Sequence, residues 1–171
     1  LKELETVCWV LDICNAKVND SCGFHVHMDA AGFNLDTWKN LTLTYKHLEH
    51  LIDAFMPRTR RNNTYCKTLS GVSDERIKSV RTIDGLREVF NNDRYHKVNF
   101  EAYSRHRTVE FRQHSGTTNF TKMENWIRFL NGLITFAKRS SLPSRMTLEG
   151  LPFLDGKQKL FFKLRTKKLA V

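Results

Sequence analysis

Apolar residues recur at every third or fourth position in three long segments of the chain, which is the spacing of one face of an α-helix. Asp36 is placed to cap the second of these helices, and Thr121 with Glu124 has the spacing of a capping box at the start of the third. The third segment is apolar on most sides, which is typical of a helix at the centre of a core. The three predicted helices lie near residues 2–18, 37–55 and 121–138.

Shorter helices are indicated by weaker versions of the same pattern. Ser73 and Thr82 can cap two helices that run over 73–80 and 83–91. The segment 157–168 mixes bulky apolar residues with basic ones and predicts a short terminal helix.

Alternation of apolar and polar residues predicts three strands, near 24–29, 97–103 and 107–113. Successive side chains of a strand point to opposite faces, so each strand has one apolar and one polar face, as is typical of an antiparallel sheet. The sequence therefore predicts an α+β domain in which the long helices cover the apolar face of the sheet. The residues expected in its core include Val26, Phe100, Phe111, Ile127 and Leu130.

The polar faces of two predicted strands carry side chains suited to metal and phosphate chemistry. His25 and His27 share one face with Asp29, and Glu110 shares another with Arg112. Neutral imidazoles and carboxylates bind divalent metals, and a neighbouring guanidinium can hold phosphate oxygens. A strand face that simply meets water is also polar, and this alternative stays open at this point.

The chain is basic, with a formal net charge of +10 at pH 7. Its first 56 residues carry more acidic than basic side chains, whereas the segments 57–112 and 113–171 are both basic. This distribution predicts an anionic partner for the C-terminal half, which is nucleic acid, a nucleoside triphosphate or a carboxylate-rich substrate.

Length and composition predict one domain over 1–171, with 140–171 as its basic C-terminal extension. A hydrophobic content of 40% excludes a disordered chain. No apolar run approaches the ~20 residues that a membrane span needs, so no membrane partner is expected. The four cysteines form no C-x-x-C pair and no targeting signal is visible, which together predict reduced thiols and a cytoplasmic protein.

Two loops have compositions that suit anions. The turn from Thr59 to Asn63 is a solvated loop, a nucleic-acid patch, or a clamp for carboxylate or phosphate. The loop Ser115–Gly116–Thr117 leads into a helix N-terminus, where free backbone N–H groups suit an anion. Without a glycine-rich phosphate loop this second signal is weak.

Four motifs occur in a fixed order along the chain. They are Cys22–Asp29, then Thr59–Cys66, then Tyr95 with Val98–Asn99, and finally Thr108–Arg112 followed by Gly116–Thr117 and Trp126. These motifs resemble those of the amidoligases, a family common in phages and fungi and similar to glutamine synthetase and other carboxylate-amine ligases. The resemblance covers residues 1 to about 140. It implies a glutamine-synthetase-like antiparallel sheet packed by helices.

The resemblance also implies an ATP-dependent reaction in which a carboxylate is phosphorylated and an amine attacks the acyl phosphate. The metal would be Mg²⁺ or Mn²⁺, and the glutamine synthetase pattern, carried across to this chain, implies His25 and Glu110 as its ligands. The substrates would be a carboxylate and an amine of an amino acid, peptide or protein, and the oligomeric state is left open.

Further roles follow from the same resemblance. His27 and Asn99 would lie near the nucleotide, and Arg112 would contact it and stabilise the transferring phosphoryl group. Arg60 and Arg61 would hold the substrate carboxylate or the nucleotide, with the division between them left open.

One expected motif differs from the family pattern. Members of the family begin with a strand that carries Glu-x-Glu, whose carboxylates complete the metal sites. The most similar stretch of this sequence, Glu3-Leu4-Glu5, lies in the first predicted helix. We therefore expect a chain that starts downstream of that strand, as a fragment or a degenerate member, with little or no ligase activity by itself.

Three hypotheses about function follow. The leading one is an amide or isopeptide ligase of the glutamine synthetase class, placed in the host cytoplasm if a phage encodes it. The second is a non-catalytic binding or structural component, for instance of a phage particle, whose basic half meets DNA or protein. The third is a metal-dependent nucleic-acid enzyme, for which the sequence contains no specific motif.

Overall fold

The computed structural model describes residues 1–170, which contain seven α-helices and three β-strands. Short 3₁₀ turns lie at Arg58–Arg60 and Leu148–Gly150. Within this range no helix is both long and apolar enough to cross a membrane. In chain order the elements are α1 (Lys2–Ile13), β1 (Val26–Asp29), α2 (Leu35–Ala54), α3 (Asp74–Ser79), α4 (Ile83–Val89), β2 (Val98–Asn99), α5 (Ala102–His106), β3 (Thr108–Phe111), α6 (Phe120–Ala137) and α7 (Gly156–Leu169).

The strands form one antiparallel sheet in the order β1-β3-β2. Val26 and Val98 both lie opposite Phe111 of the central strand, and all three side chains are buried. Directly opposed residues of an antiparallel pair project from the same face, so these three form an apolar face. The α+β class and the pairing of the first and third predicted strands are confirmed.

Helices α2 and α6 supply much of the core. The ring of Tyr45 on α2 lies 5.8 Å from that of Phe111 on β3, and α2 also packs against α6. Val26, Phe100, Phe111 and Leu130 are buried as predicted, but Ile127 is only partly buried at the edge of the core. Because α6 is apolar on most sides, its periodicity alone could not decide which side faces inward.

Two of the predicted helix caps are wrong. Asn34, not Asp36, caps α2 by accepting a hydrogen bond from the backbone N–H of Thr37 at 2.8 Å. Asn119, not Thr121, caps α6 in the same way. The predicted caps Ser73 and Thr82 of α3 and α4 are confirmed.

The first helix is shorter than predicted and ends at Ile13. It packs against α6, where the thiol of Cys8 lies 3.5 Å from the sulfur of Met123. The prediction that this helix covers the sheet is therefore wrong, and Val7, Trp9 and Ile13 are exposed.

The predicted strand over 97–103 is also too long, because only Val98–Asn99 is a strand. The side-chain oxygen of Asn99 accepts a hydrogen bond from the backbone N–H of Glu101 at 2.9 Å, which turns the chain out of the sheet. Helix α5 follows, and Arg107 closes it in the left-handed conformation with φ 55°. The hairpin between β2 and β3 therefore contains a helical turn that the alternation pattern did not reveal.

The predicted terminal helix is confirmed as α7. Asp155 and Gln158 form a capping box at its start. Phe162 is buried, and its ring lies 4.4 Å from that of Phe55 on the segment after α2. The C-terminal segment thus packs onto the same core as the rest of the chain.

Candidate active site

A cleft of about 520 Å³ opens over the polar face of the sheet. His27 and Asn99 flank Glu110 in register on that face, because the three strands place them directly opposite each other. Residues that are distant in sequence are thereby brought to one position. The predicted site residues that line the cleft are His25, His27, Asn99, Glu110 and Arg112, and the other lining residues are Arg94, Glu101, Ala102, Ser104, Arg105 and His106.

Glu110 is at the centre of this group and exposes only 6% of its surface. Its Oε1 accepts a hydrogen bond from Nη1 of Arg112 at 3.0 Å and lies 3.1 Å from Nδ1 of His25. Its Oε2 accepts a hydrogen bond from the side-chain amide of Asn99 at 2.6 Å. Both oxygens of the buried carboxylate are therefore satisfied.

The pKa of Glu110 is lowered to about 2. Burial acts to raise this pKa, but the hydrogen bonds of His25 and Asn99 and the positive charge of Arg112 outweigh the burial effect. The carboxylate is consequently ionised at neutral pH and can hold a cationic group in place.

The Arg112 guanidinium is oriented from three sides. Besides the contact with Glu110, its Nε donates to the backbone carbonyl of Tyr65 at 3.3 Å. The guanidinium also lies over the ring of Tyr95, 5.4 Å from the ring centroid. Within residues 1–170 its Nη2 makes no hydrogen bond, so one edge of the guanidinium remains available to an oxyanion.

The two imidazoles approach Glu110 from β1 and the segment before it. Nδ1 of His27 is hydrogen-bonded to the hydroxyl of Thr108 at 2.8 Å, which fixes the ring. Its Nε2 lies 3.7 Å from Oε1 of Glu110. His25 and His27 retain partly exposed side chains, so a ligand in the cleft can reach them.

A comparison with protein families adds an independent observation. A family described as "Putative amidoligase enzyme" matches residues 1–134. The chain belongs to this amidoligase family. The matched segment contains every residue that lines the cleft. Searches of curated proteins and of solved structures returned no match.

The structure places the two other predicted arginines of the amidoligase outside the cleft. Arg60 is buried, and its guanidinium donates to the backbone carbonyls of Arg112 and Gln113. Arg61 donates to the carbonyls of Met56 and Leu169. These contacts tie the turn after α2 to the end of β3 and to α7.

The predicted metal ligands are adjacent, but they do not form a complete metal site. Within residues 1–170 no group of three or more His, Cys, Asp or Glu side chains is arranged around a metal position. The Arg112 guanidinium faces the same carboxylate oxygen as His25, and Asn99 binds the other oxygen. Glu3 and Glu5, the residues most similar to the expected Glu-x-Glu motif, lie in the first turn of α1 and are exposed.

Three basic residues of the cleft were not identified from the sequence. Arg94, Arg105 and His106 line it, and neither arginine forms an ion pair within the described residues. Glu101 is neutralised by Arg87, whose Nε donates to both of its carboxylate oxygens at 3.1 Å. The run Arg105-His106 was a usable signal, but it lay between two predicted strands, and the helix α5 that carries it was not predicted.

Proposed function

We propose that this amidoligase joins a carboxylate to an amine at the expense of ATP, in the cleft around Glu110. The γ-phosphoryl group of ATP is transferred to a carboxylate oxygen, and ADP leaves. The amine then attacks the acyl carbon, inorganic phosphate leaves, and the amine nitrogen loses a proton as the amide forms. The family membership supports a ligase, and the observation that carries the mechanism is the convergence of Glu110, Arg112 and two imidazoles in one cleft.

The charge of the cleft supports an anionic reactant. Both of its carboxylates, Glu101 and Glu110, are paired with arginines, while Arg94 and Arg105 have no acidic partner within the described residues. A cleft with surplus guanidinium groups attracts polyphosphates and carboxylates, which are the two anionic reactants of the proposed reaction.

In the proposal Arg112 stabilises the negative charge that develops on the transferring phosphoryl group. Its Nη1 is fixed by Glu110 and its Nε by the Tyr65 carbonyl, so the free Nη2 is held ready without reorganisation. Asn99 holds the Glu110 carboxylate, and His27 presents Nε2 toward the same space. Positioning and electrostatic stabilisation are the main contributions of protein groups to phosphoryl transfer.

We propose His25 and Glu110 as ligands of Mg²⁺ or Mn²⁺. The proposed roles of Arg112, Asn99 and His27 do not depend on a bound metal. A divalent ion bound there would neutralise phosphate charge, and its other ligands would have to come from phosphate oxygens and water. The antiparallel sheet with a polar face under a cleft supports a glutamine-synthetase-like arrangement. The need for ATP supports a cytoplasmic location.

Trapping with hydroxylamine tests the proposed reaction without knowledge of the natural amine. Hydroxylamine attacks an acyl phosphate and yields a hydroxamate and phosphate, so a panel of amino acids and peptides can be screened with ATP for hydroxamate formation. Arg112→Ala is expected to lower the rate by about 10²–10³-fold, as for removal of one preorganised donor to a developing anion.

The exposed pair Glu124–Arg128 on α6 supplies matched controls. Glu124→Gln and Arg128→Ala make the same chemical changes as Glu110→Gln and Arg112→Ala, and we expect them to leave the rate within about twofold. Hydroxamate formation that survives both cleft substitutions would contradict the mechanism. Binding of magnesium-ATP without any hydroxamate formation by the wild type would favour a role for this cleft in binding alone.

A further inference from the structure

A second cavity, of about 290 Å³, lies where the start of α6 meets the end of α7. Three basic side chains line it, namely Lys122, Arg165 and Lys168. Thr59, Ser115 and Gly116 complete part of its wall, and it shares no lining residue with the cleft around Glu110. Two residues of the Ser115–Gly116–Thr117 loop, whose position before a helix suits an anion, therefore line this cavity, and the proposed reaction does not use them.

The three cations lack counter-charges within residues 1–170. None of them forms an ion pair, although one acidic residue, Asp20, also lines the cavity. Arg165 donates from Nε to the backbone carbonyl of Phe55 at 2.8 Å, which leaves its terminal nitrogens available. For Lys122 and Lys168 no side-chain hydrogen bond is present among the described residues.

The positions of the cations are unfavourable without an anion. Burial, followed by the charges of Arg165 and Lys168, lowers the pKa of Lys122, and burial also lowers the pKa of Arg165. Lys122 lies in the first turn of α6, which contains no acidic residue, and a cation at this end of a helix is repelled by the helix dipole. An oxyanion between these groups would relieve each of these costs.

We propose that this cavity binds a phosphate group. The three basic side chains and the carboxylate of Asp20 together leave an excess of two positive charges. This excess matches a dianion better than a monoanion such as acetate. The hydroxyls of Thr59 and Ser115 line the same cavity and supply donors for further phosphate oxygens. The phosphate belongs either to a small phosphorylated molecule, whose monoester group is a dianion, or to a nucleic-acid backbone, whose diester group is a monoanion. Both present anionic oxygens to these cations, and the charge match favours the monoester.

Titration calorimetry with inorganic phosphate tests the site at constant ionic strength, with acetate as a reference anion. We expect phosphate to bind more tightly than acetate and Lys122→Gln or Lys168→Gln to weaken phosphate binding at least tenfold. Lys157→Gln, on α7 but outside the cavity, is the matched control and should bind as the wild type does. The part of the phosphate binding that Lys122→Gln removes should persist in Arg112→Ala, which separates the cavity from the cleft.

Thermal unfolding separates a binding role from a structural one. Because Lys122 is repelled by its neighbours, Lys122→Gln should not lower the melting temperature in phosphate-free buffer, yet it should abolish the rise that phosphate causes in the wild type. A loss of stability in phosphate-free buffer would instead assign Lys122 a structural role and overturn the proposal. Phosphate binding that is absent, or equal in the wild type and both lysine variants, would also overturn it.

A short single-stranded oligonucleotide distinguishes the two sources of phosphate. Binding that inorganic phosphate displaces, and that Lys122→Gln weakens, would support a nucleic-acid backbone as the ligand. Phosphate binding without oligonucleotide binding would support a small phosphorylated molecule. Oligonucleotide binding that is insensitive to Lys122→Gln and Lys168→Gln would place nucleic acid elsewhere and contradict a backbone phosphate in this cavity.

Discussion

Glu110 shows how a single buried carboxylate can organise the polar face of a sheet. Its two oxygens contact Asn99, Arg112 and His25, which come from β2, from the end of β3 and from the segment before β1. Each partner is fixed by its contact with the carboxylate, and the carboxylate stays ionised because of them. The cost of burying the charge is thus offset by groups that the proposed chemistry also uses.

The lowered pKa of Glu110 predicts a specific response to acid. Its pKa falls from 4.5 to about 2 on folding, so the stability that it contributes is complete above pH 4.5 and is lost as the pH falls toward 2. The loss is at most about 3 kcal/mol over that range. Urea unfolding at several pH values should show this loss in the wild type and not in Glu110→Gln.

His114 also makes the stability of the fold depend on acid. Comparison of the wild type with Glu110→Gln cancels this second contribution. Burial lowers the pKa of His114 to about 4, so protonation of the unfolded state destabilises the fold as the pH falls from 6.5 to 4. This part is common to the wild type and Glu110→Gln. A difference between the two that grows above pH 5 rather than below it would contradict the assignment to Glu110.

Lys97 is a fully buried cation whose importance was not predicted from the sequence. Its ammonium donates to Glu49 at 2.9 Å and to Asp53 at 2.8 Å, and its side chain exposes 0% of its surface. Lys97→Met would leave both carboxylates of α2 without their cation and should lower the free energy of unfolding by about 3–5 kcal/mol. Lys163→Met, which removes an exposed lysine, should change it by less than about 1 kcal/mol in the same urea titration.

At the level of elements, close approach of backbones fixes the connection between β3 and α6. A Cβ at Gly116 would lie 2.4 Å from the Cβ of Cys22 and 3.1 Å from that residue's backbone. The backbone N–H of Gly116 also donates to the Cys22 carbonyl at 2.8 Å, so the two segments cannot separate without losing this bond.

Gly116→Ala should therefore destabilise the protein by about 1–3 kcal/mol, as for overpacking in a closed site. Gly71→Ala is the matched control, because a Cβ at Gly71 meets nothing within 4 Å. The melting temperatures of the two variants measure the difference. Equal melting temperatures would show that the connection can move to accept the methyl group.

Patterns of apolar residues predicted the existence of the helices and strands better than the residues at which they begin and end. The long helices and the first and third strands were found, because a buried stripe or a buried face repeats over many residues. Helix ends depend on single hydrogen bonds, and Asn34 and Asn119 compete there with neighbours that have similar propensities. α5 was missed because its one turn is too short to show a helical period.

For the whole molecule, the sequence identified the residues that come together in the cleft. It was less successful in identifying the other residues that surround them. The motifs indicated His25, His27, Asn99, Glu110 and Arg112. The sheet register aligns His27, Asn99 and Glu110, and His25 and Arg112 join them from just beyond the ends of β1 and β3. Arg60 and Arg61 carry the same charge as Arg112, but their guanidinium groups donate hydrogen bonds to backbone carbonyls. Residue type alone cannot distinguish such an arginine from one that lines the cleft. Arg105 could be assigned to the cleft only once α5 was located, and Arg94 only once the turn before β2 was located.

The central claim is that the cleft around Glu110 and Arg112 binds the triphosphate of ATP. Titration calorimetry of the protein with magnesium-ATP tests it most directly, because binding is measured whether or not the carboxylate and amine are known. We predict that Arg112→Ala weakens binding at least tenfold, while Arg128→Ala, which changes an arginine outside both the cleft and the phosphate cavity, binds as the wild type does. Equal affinity in the wild type and Arg112→Ala would contradict the claim.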